Sequence, residues 1–147
     1  MCGRYAINSE DEIIEIREIL KEISIRLAEE KLSKYDKYST DAYPGVSAPF
    51  ITPDRIITSG TWGFEKWDGK GVIFNARSEG LITSKFFSRH IPGGRCIIPA
   101  RLYYEWRKTS DNKKIKYSIF DSENKPLFMA GLMKSESNGN NSYVIIT

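Results

Sequence analysis

Apolar residues recur at helical spacing in one stretch of this chain and at strand spacing in many. Ile13, Ile16, Ile19 with Leu20, Ile23 and Leu27 repeat every three or four positions out to about Leu32, which predicts one long amphipathic N-terminal helix. Ser9 followed by Glu12 supplies a capping-box pattern at its start. Beyond it come short runs rich in β-branched and aromatic residues. Strands are expected over Gly3–Ile7, Ser47–Thr52 (interrupted by Pro49), Ile56–Trp62, Val72–Asn75, Arg95–Ile98, Leu102–Arg107, Lys114–Asp121, Leu127–Lys134 and Ser142–Thr147. Asp68-Gly69, Gly93-Gly94, Asp111-Asn112, Ser122 to Asn124 and Asn138-Gly139-Asn140 separate them as turns. One long helix beside many short strands predicts an α+β domain over 1–147, built on a mainly antiparallel, barrel-like sheet.

Composition narrows the classes. A chain of 147 residues with 40% hydrophobic and 28% charged positions is the size and make-up of one globular domain. No apolar run approaches a membrane span, and the N-terminus lacks the basic-then-apolar order of a signal peptide. The expected location is the cytoplasm. Two cysteines and one histidine cannot make a Cys/His zinc set, so neither metal nor cofactor is expected. The net charge of +3 permits nucleic-acid binding without demanding it. Acidic residues crowd positions 10–30, which leaves the remainder more basic and a positive face plausible there. Nothing in the sequence specifies an oligomeric state.

The chemistry begins at Met1-Cys2-Gly3-Arg4. Removal of Met1 would leave a terminal cysteine with an amine and a thiol on adjacent carbons. Such a pair captures an aldehyde as an imine and closes a five-membered thiazolidine ring. Closure is intramolecular, where effective molarities are large. Arg4, two residues on, would share a strand face with Cys2. Glu105 sits between Tyr103-Tyr104 and Trp106. It is either a carboxylate held among aromatics for general acid–base work or an outward residue with alternate aromatics turned in. Asn75 ends an apolar run as either a site amide or a strand terminator. Arg77, Arg89, Arg95, Arg101 and Arg107 could meet phosphates, while Trp62, Trp67, Tyr103 and Trp106 could stack on bases or fill a core. His90 reads as incidental, and Cys96 as a small buried hydrophobe.

These segments together resemble the SOS response-associated peptidase (SRAP) family. The matching stretches are Met1 to Ala6, Tyr43-Pro44, Ala48-Pro49, Trp62-Gly63-Phe64 and Phe74 to Glu79. They continue with Arg95 to Ala100, Tyr103 to Trp106, Phe128 to Leu132 and Tyr143 to Thr147, in the family's order. The resemblance implies a sensor of abasic sites in single-stranded DNA, acting in the SOS response to DNA damage, that links itself covalently through Cys2. Asn75 would orient the terminal amine or the sugar, and Glu105 would shuttle protons. Arg4 and Arg77 would bind phosphates, and Trp67 and Trp106 would contact displaced bases. The peptidase label would describe loss of the residue before Cys2, with lyase-type crosslinking following it.

The family also carries a His-x-Arg-Met-Pro-like segment after the strand matching 143–147, where this chain stops. The expectation is therefore a sheet lacking its closing strands and a Cys2 with weakened acid–base help. Two other readings stay open. Glutamine-dependent amidohydrolases also begin Met-Cys-Gly, and a non-catalytic barrel that binds single-stranded nucleic acid needs no reactive cysteine.

Overall fold

A computed structural model describes residues 2–7 and 41–147. The predicted N-terminal helix lies outside the described residues. Twelve strands occur among the described residues: β1 Tyr5–Ala6, β2 Asp41–Ala42, β3 Ser47–Ile51, β4 Ile57–Trp62, β5 Phe64–Glu65, β6 Val72–Ile73, β7 Asn75–Ala76, β8 Arg95–Ala100, β9 Leu102–Lys108, β10 Lys114–Phe120, β11 Leu127–Ser135 and β12 Asn141–Ile146. No described helix is long and apolar enough to cross a membrane.

Five strands run in the order β11-β8-β3-β4-β12, and pairing of β11 with β12 closes them into a barrel. The expected gap in the sheet is therefore not found: the described strands complete the ring without further chain. The sheet is mainly antiparallel, as expected, with β12 the exception: it lies parallel to both β4 and β7. A second sheet, β10-β9-β1-β2, stands beside the barrel.

Two expected strands changed shape for visible reasons. Pro49 does not interrupt β3, because β3 pairs with β8 at Ile51 alone and leaves the β8 side of Pro49 unpaired. A proline is tolerated where no ladder N–H is demanded. The run Val72–Asn75 breaks at Phe74, whose carbonyl accepts from Ile145 N at 3.1 Å and from Trp62 Nε1 at 2.8 Å. Val72–Ile73 pairs with β5, whereas Asn75–Ala76 joins β12. The strand is thus split between two sheets, and Asn75 is delivered to the barrel rim.

Period-two alternation fills the barrel. Tyr5, Phe50, Trp62, Ile98, Tyr143 and Ile145 pack inside with Cys2 and Cys96, and the Tyr5 and Tyr143 hydroxyls meet at 2.6 Å. A second cluster, Phe64, Ala76, Leu132 and Val144, is covered by Leu81, Phe86, Phe87 and Ile91. Gly131 sits where β11 passes closest to this interior. A methyl group there would lie 2.7 Å from the Val144 carbonyl oxygen and 3.0 Å from Cys96 Sγ. Backbone cannot yield as a side chain can, so Gly131→Ala is expected to cost about 1–3 kcal/mol. A urea midpoint unchanged at constant slope would contradict this.

Candidate active site

Segment 2–7 reaches the site because main-chain bonds pin it against β9. Tyr104 N donates to Arg4 O at 2.9 Å, and Arg101 N donates to Ala6 O at 2.8 Å. Cys2 is thereby held at the mouth of the barrel, 4% exposed. Its wall is a cleft of about 520 Å³ bounded by Cys2, Arg77, Glu79, Tyr103, Glu105, Met129 and the end of β12. Tyr103 and Glu105 are two apart on β9 and project to the same side. Glu105 is half-buried there, while Tyr104 and Trp106 turn to the opposite face. Neither sequence alternative for Glu105 describes this arrangement fully, because the flanking aromatics are divided between two surfaces.

Asn75 does not line the cleft with its amide but holds what does. Its Nδ2 donates to the Cys2 carbonyl at 2.7 Å. Its Oδ1 is buried and has no hydrogen-bond partner among the described residues. A buried acceptor left unpaired is costly, and such atoms commonly await a ligand. Here it lies beside the Cys2 backbone.

Burial pushes the Cys2 thiol up to about 11, and the nearby Glu105 charge adds to the rise. Burial alone pushes Cys96 up to about 12. Both thiols are therefore protonated at neutral pH, and Cys96 packs in the barrel interior as a small apolar side chain. Because each keeps its proton longer in the folded chain than in the unfolded one, its stabilising contribution is complete below the ordinary thiol value of 9.0. That contribution is lost as pH climbs through the folded values. Chain stability in urea should accordingly fall as pH rises from about 9 towards about 11, with a shallower fall in Cys96→Ala. Equal falls in both proteins would refute the assignment.

The other expected site residues are dispersed. Arg77 lines the cleft and is exposed. Residues 2–4 are not strand, so the alternation expected to set Arg4 on the Cys2 face is not present; the Arg4 guanidinium pairs with Asp41 at 3.6 Å. Trp106 occupies the far side of β9, and Trp67 is 95% exposed in the turn between β5 and β6. Trp62 is core. Arg101 Nη2 donates to Asn124 Oδ1 at 2.8 Å, and Arg89 lies over the Phe86 ring. His90 stacks on Phe64 at 5.1 Å, away from the cleft. Glu79 and Met129 are cleft residues that sequence reasoning did not single out. Glu79 stood in the Asn75 to Glu79 run, but an exposed Glu beside a turn carries no signal of its own. Among the described residues no group of three His, Cys, Asp or Glu side chains could hold a metal ion.

The SOS response associated peptidase (SRAP) family model matches residues 1–147. The chain belongs to the SRAP family. Abasic site processing protein YedK of Escherichia coli (strain K12) is 29% identical over an alignment of 142 positions that covers 90% of this chain and 59% of YedK. Abasic site processing protein YoqW of Bacillus subtilis (strain 168) matches with the same identity and coverage. Abasic site processing protein YMR114C of Saccharomyces cerevisiae is 32% identical over an alignment of 93 positions that covers 58% of this chain and 25% of that protein. The chain thus spans 59% of the length of the first two of these relatives. SRAP membership agrees with the fold. A crystal structure of a Bacteroides thetaiotaomicron protein superposes with a TM-score of 0.72 at 20% identity, covering 99% of this chain and 67% of that one. One from Bordetella bronchiseptica gives 0.66 at 21% identity, covering 99% and 71%.

Proposed function

We propose that this chain captures abasic sites in single-stranded DNA by forming a thiazolidine at Cys2 once Met1 is removed. The observation that carries this reading is the placement of a buried cysteine near the N-terminus in one cleft with a carboxylate and an arginine, its carbonyl held by the Asn75 amide at 2.7 Å. SRAP membership and the names of the curated relatives support abasic-site processing as the class of activity.

The steps balance with loss of one water. The Cys2 amine adds to the aldehyde carbon of the ring-opened sugar, and both amine protons leave with the aldehyde oxygen as water, relayed by the Glu105 carboxylate. An imine remains. Sγ then adds to the imine carbon, and Glu105 takes the thiol proton and passes it to the ring nitrogen. A thiol pushed up to about 11 is a poor nucleophile unless a base takes its proton as the bond forms. Glu105 is the carboxylate whose charge already acts on that thiol. The orphaned Asn75 Oδ1 accepts from the terminal amine and aims it, and Arg77 meets a flanking phosphate.

Methionine-processed protein mixed with a single-stranded oligonucleotide bearing one abasic site should leave a shifted band on a denaturing gel. Undamaged oligonucleotide should leave none, nor should protein that retains Met1. Absence of a denaturant-resistant band after confirmed Met1 removal would overturn the reading. Ammonia release from glutamine would replace it with amidohydrolase chemistry.

A further inference from the structure

Strand β10 forms the outer edge of the β10-β9-β1-β2 sheet, and among the described residues nothing pairs with its other side. The phase of its ladder is fixed at the hairpin, where Thr109 N donates to Lys113 O at 2.9 Å. Antiparallel pairs alternate between hydrogen-bonded and non-hydrogen-bonded. Ile115, Tyr117 and Ile119 therefore turn their main-chain N–H and C=O groups to β9, and Lys114, Lys116, Ser118 and Phe120 turn theirs outward. Tyr104, opposite Ser118, agrees: its N–H goes to Arg4 O at 2.9 Å, on the other side of β9. An edge of seven residues with unpaired main-chain groups is a template for another strand.

The sequence of this edge is complementary to itself. Laid antiparallel on its own copy about Tyr117, it sets Lys114 opposite Phe120, Lys116 opposite Ser118, Ile115 opposite Ile119 and Tyr117 opposite Tyr117. The first two of these pairs join outward-turned groups on both strands, so each exchanges two main-chain hydrogen bonds. One residue further out, Lys113 meets Asp121 of the copy, opposite in charge. Charge also selects the register. Shifting the copy by two residues toward the hairpin turn would set Lys116 against Lys116, and shifting it the other way would set Ile115 against Asp121. Lysines often guard an edge by repulsion, but Lys116 Nζ is folded back over its own sheet, 3.6 Å from the centre of the Tyr104 ring. Ile115, Tyr117 and Phe120 stand 46%, 45% and 55% exposed, apolar surface that a second strand would cover.

We infer that β10 is a docking edge for a second copy of this chain, paired antiparallel about a two-fold axis at Tyr117. The interface is isologous and closes on itself. Each four-stranded sheet is thereby continued into the other. Tyr117 is the cross-strand partner of Glu105, so the two Glu105 residues share one face of the joined sheet, three strand spacings or about 14 Å apart. Both clefts then open on the same side of the dimer.

Light scattering across a wide concentration range is the first test, with the mass expected to rise from 16.8 kDa toward twice that value. A mass that stays at the monomer's up to about 1 mM overturns the inference. Ser118→Pro removes an outward N–H and none from the β9 ladder, and should weaken association about tenfold or more. Because Tyr117 meets itself, Tyr117→Lys and Tyr117→Glu should each be monomeric, while an equimolar mixture of the two should recover dimer. Dimers of wild-type strength in either charged variant alone, or none in the mixture, would place the interface elsewhere and overturn the pairing. Melting temperatures of the dilute variants, equal to that of dilute wild type, separate loss of association from loss of fold. Amide exchange reads the edge directly. The Lys116 and Ser118 amides should be protected only as concentration rises, whereas those of Ile115 and Tyr117 are protected throughout. Protection of Lys116 and Ser118 in dilute monomer would mean that another segment of the same chain covers β10, and would refute the dimer.

Discussion

Cys2→Ala and Cys2→Ser are each expected to lose the denaturant-resistant complex with abasic DNA unless it is reduced before the gel. Alanine keeps the terminal amine, which condenses with the aldehyde, but an imine in water hydrolyses back. Serine supplies an oxygen in place of sulfur, a far weaker nucleophile toward the imine carbon. The thiol's advantage is intramolecular: positioned groups of this kind reach effective molarities of about 10⁵–10⁸ M. Borohydride treatment before the gel separates the cases, because it fixes an imine from either variant. A stable complex formed by Cys2→Ala without reduction would show that some other nucleophile does the work. The variant should fold normally, since deletion of a single sulfur at the cleft mouth removes little buried area.

Trp62→Ala is expected to have the largest effect on stability, about 3–5 kcal/mol. Trp62 is fully buried at 0% exposure, with Tyr5 at 5.1 Å and Phe74 at 5.9 Å between ring centres. Its indole N–H also donates to the Phe74 carbonyl at 2.8 Å, one residue before Asn75. The truncation therefore opens a cavity under the residue that holds Cys2. For a chain of this length the melting temperature should drop by roughly 10–20 °C. Trp62→Phe keeps most of the ring and loses the hydrogen bond, so it should cost about 1 kcal/mol in that bond beyond the lost ring volume. Melting within a degree or two of wild type for Trp62→Ala would mean the barrel repacks freely, contrary to its close filling.

The strands longer than four residues were legible because each buries one side, and burial forces alternation. The run from Leu102 to Lys108 shows both the strength of that signal and its limit. Its strand character is plain, yet alternation alone cannot tell which of its two sides meets the reactive cysteine. Tyr104 and Trp106 look as much like core as Tyr103 does until β10 and β1 are in register beside them. The two-residue strands Asp41–Ala42 and Phe64–Glu65 span a single period of strand alternation, too short to repeat, and left no trace.

The amino-acid sequence by itself determined the chemistry available here: a thiol at Cys2, an amide at Asn75, a carboxylate at Glu105 and the SRAP order of segments. These are properties of residue type and order along the chain. Tertiary structure alone decided what meets what. It closed the barrel through β11 and β12, broke the chain at Phe74 so that Asn75 reaches Cys2, and set Arg4 and Trp106 on the far side of β9 from Glu105. Each of those outcomes depends on contacts between residues dozens of positions apart, whose geometry is set by strand register and side-chain packing.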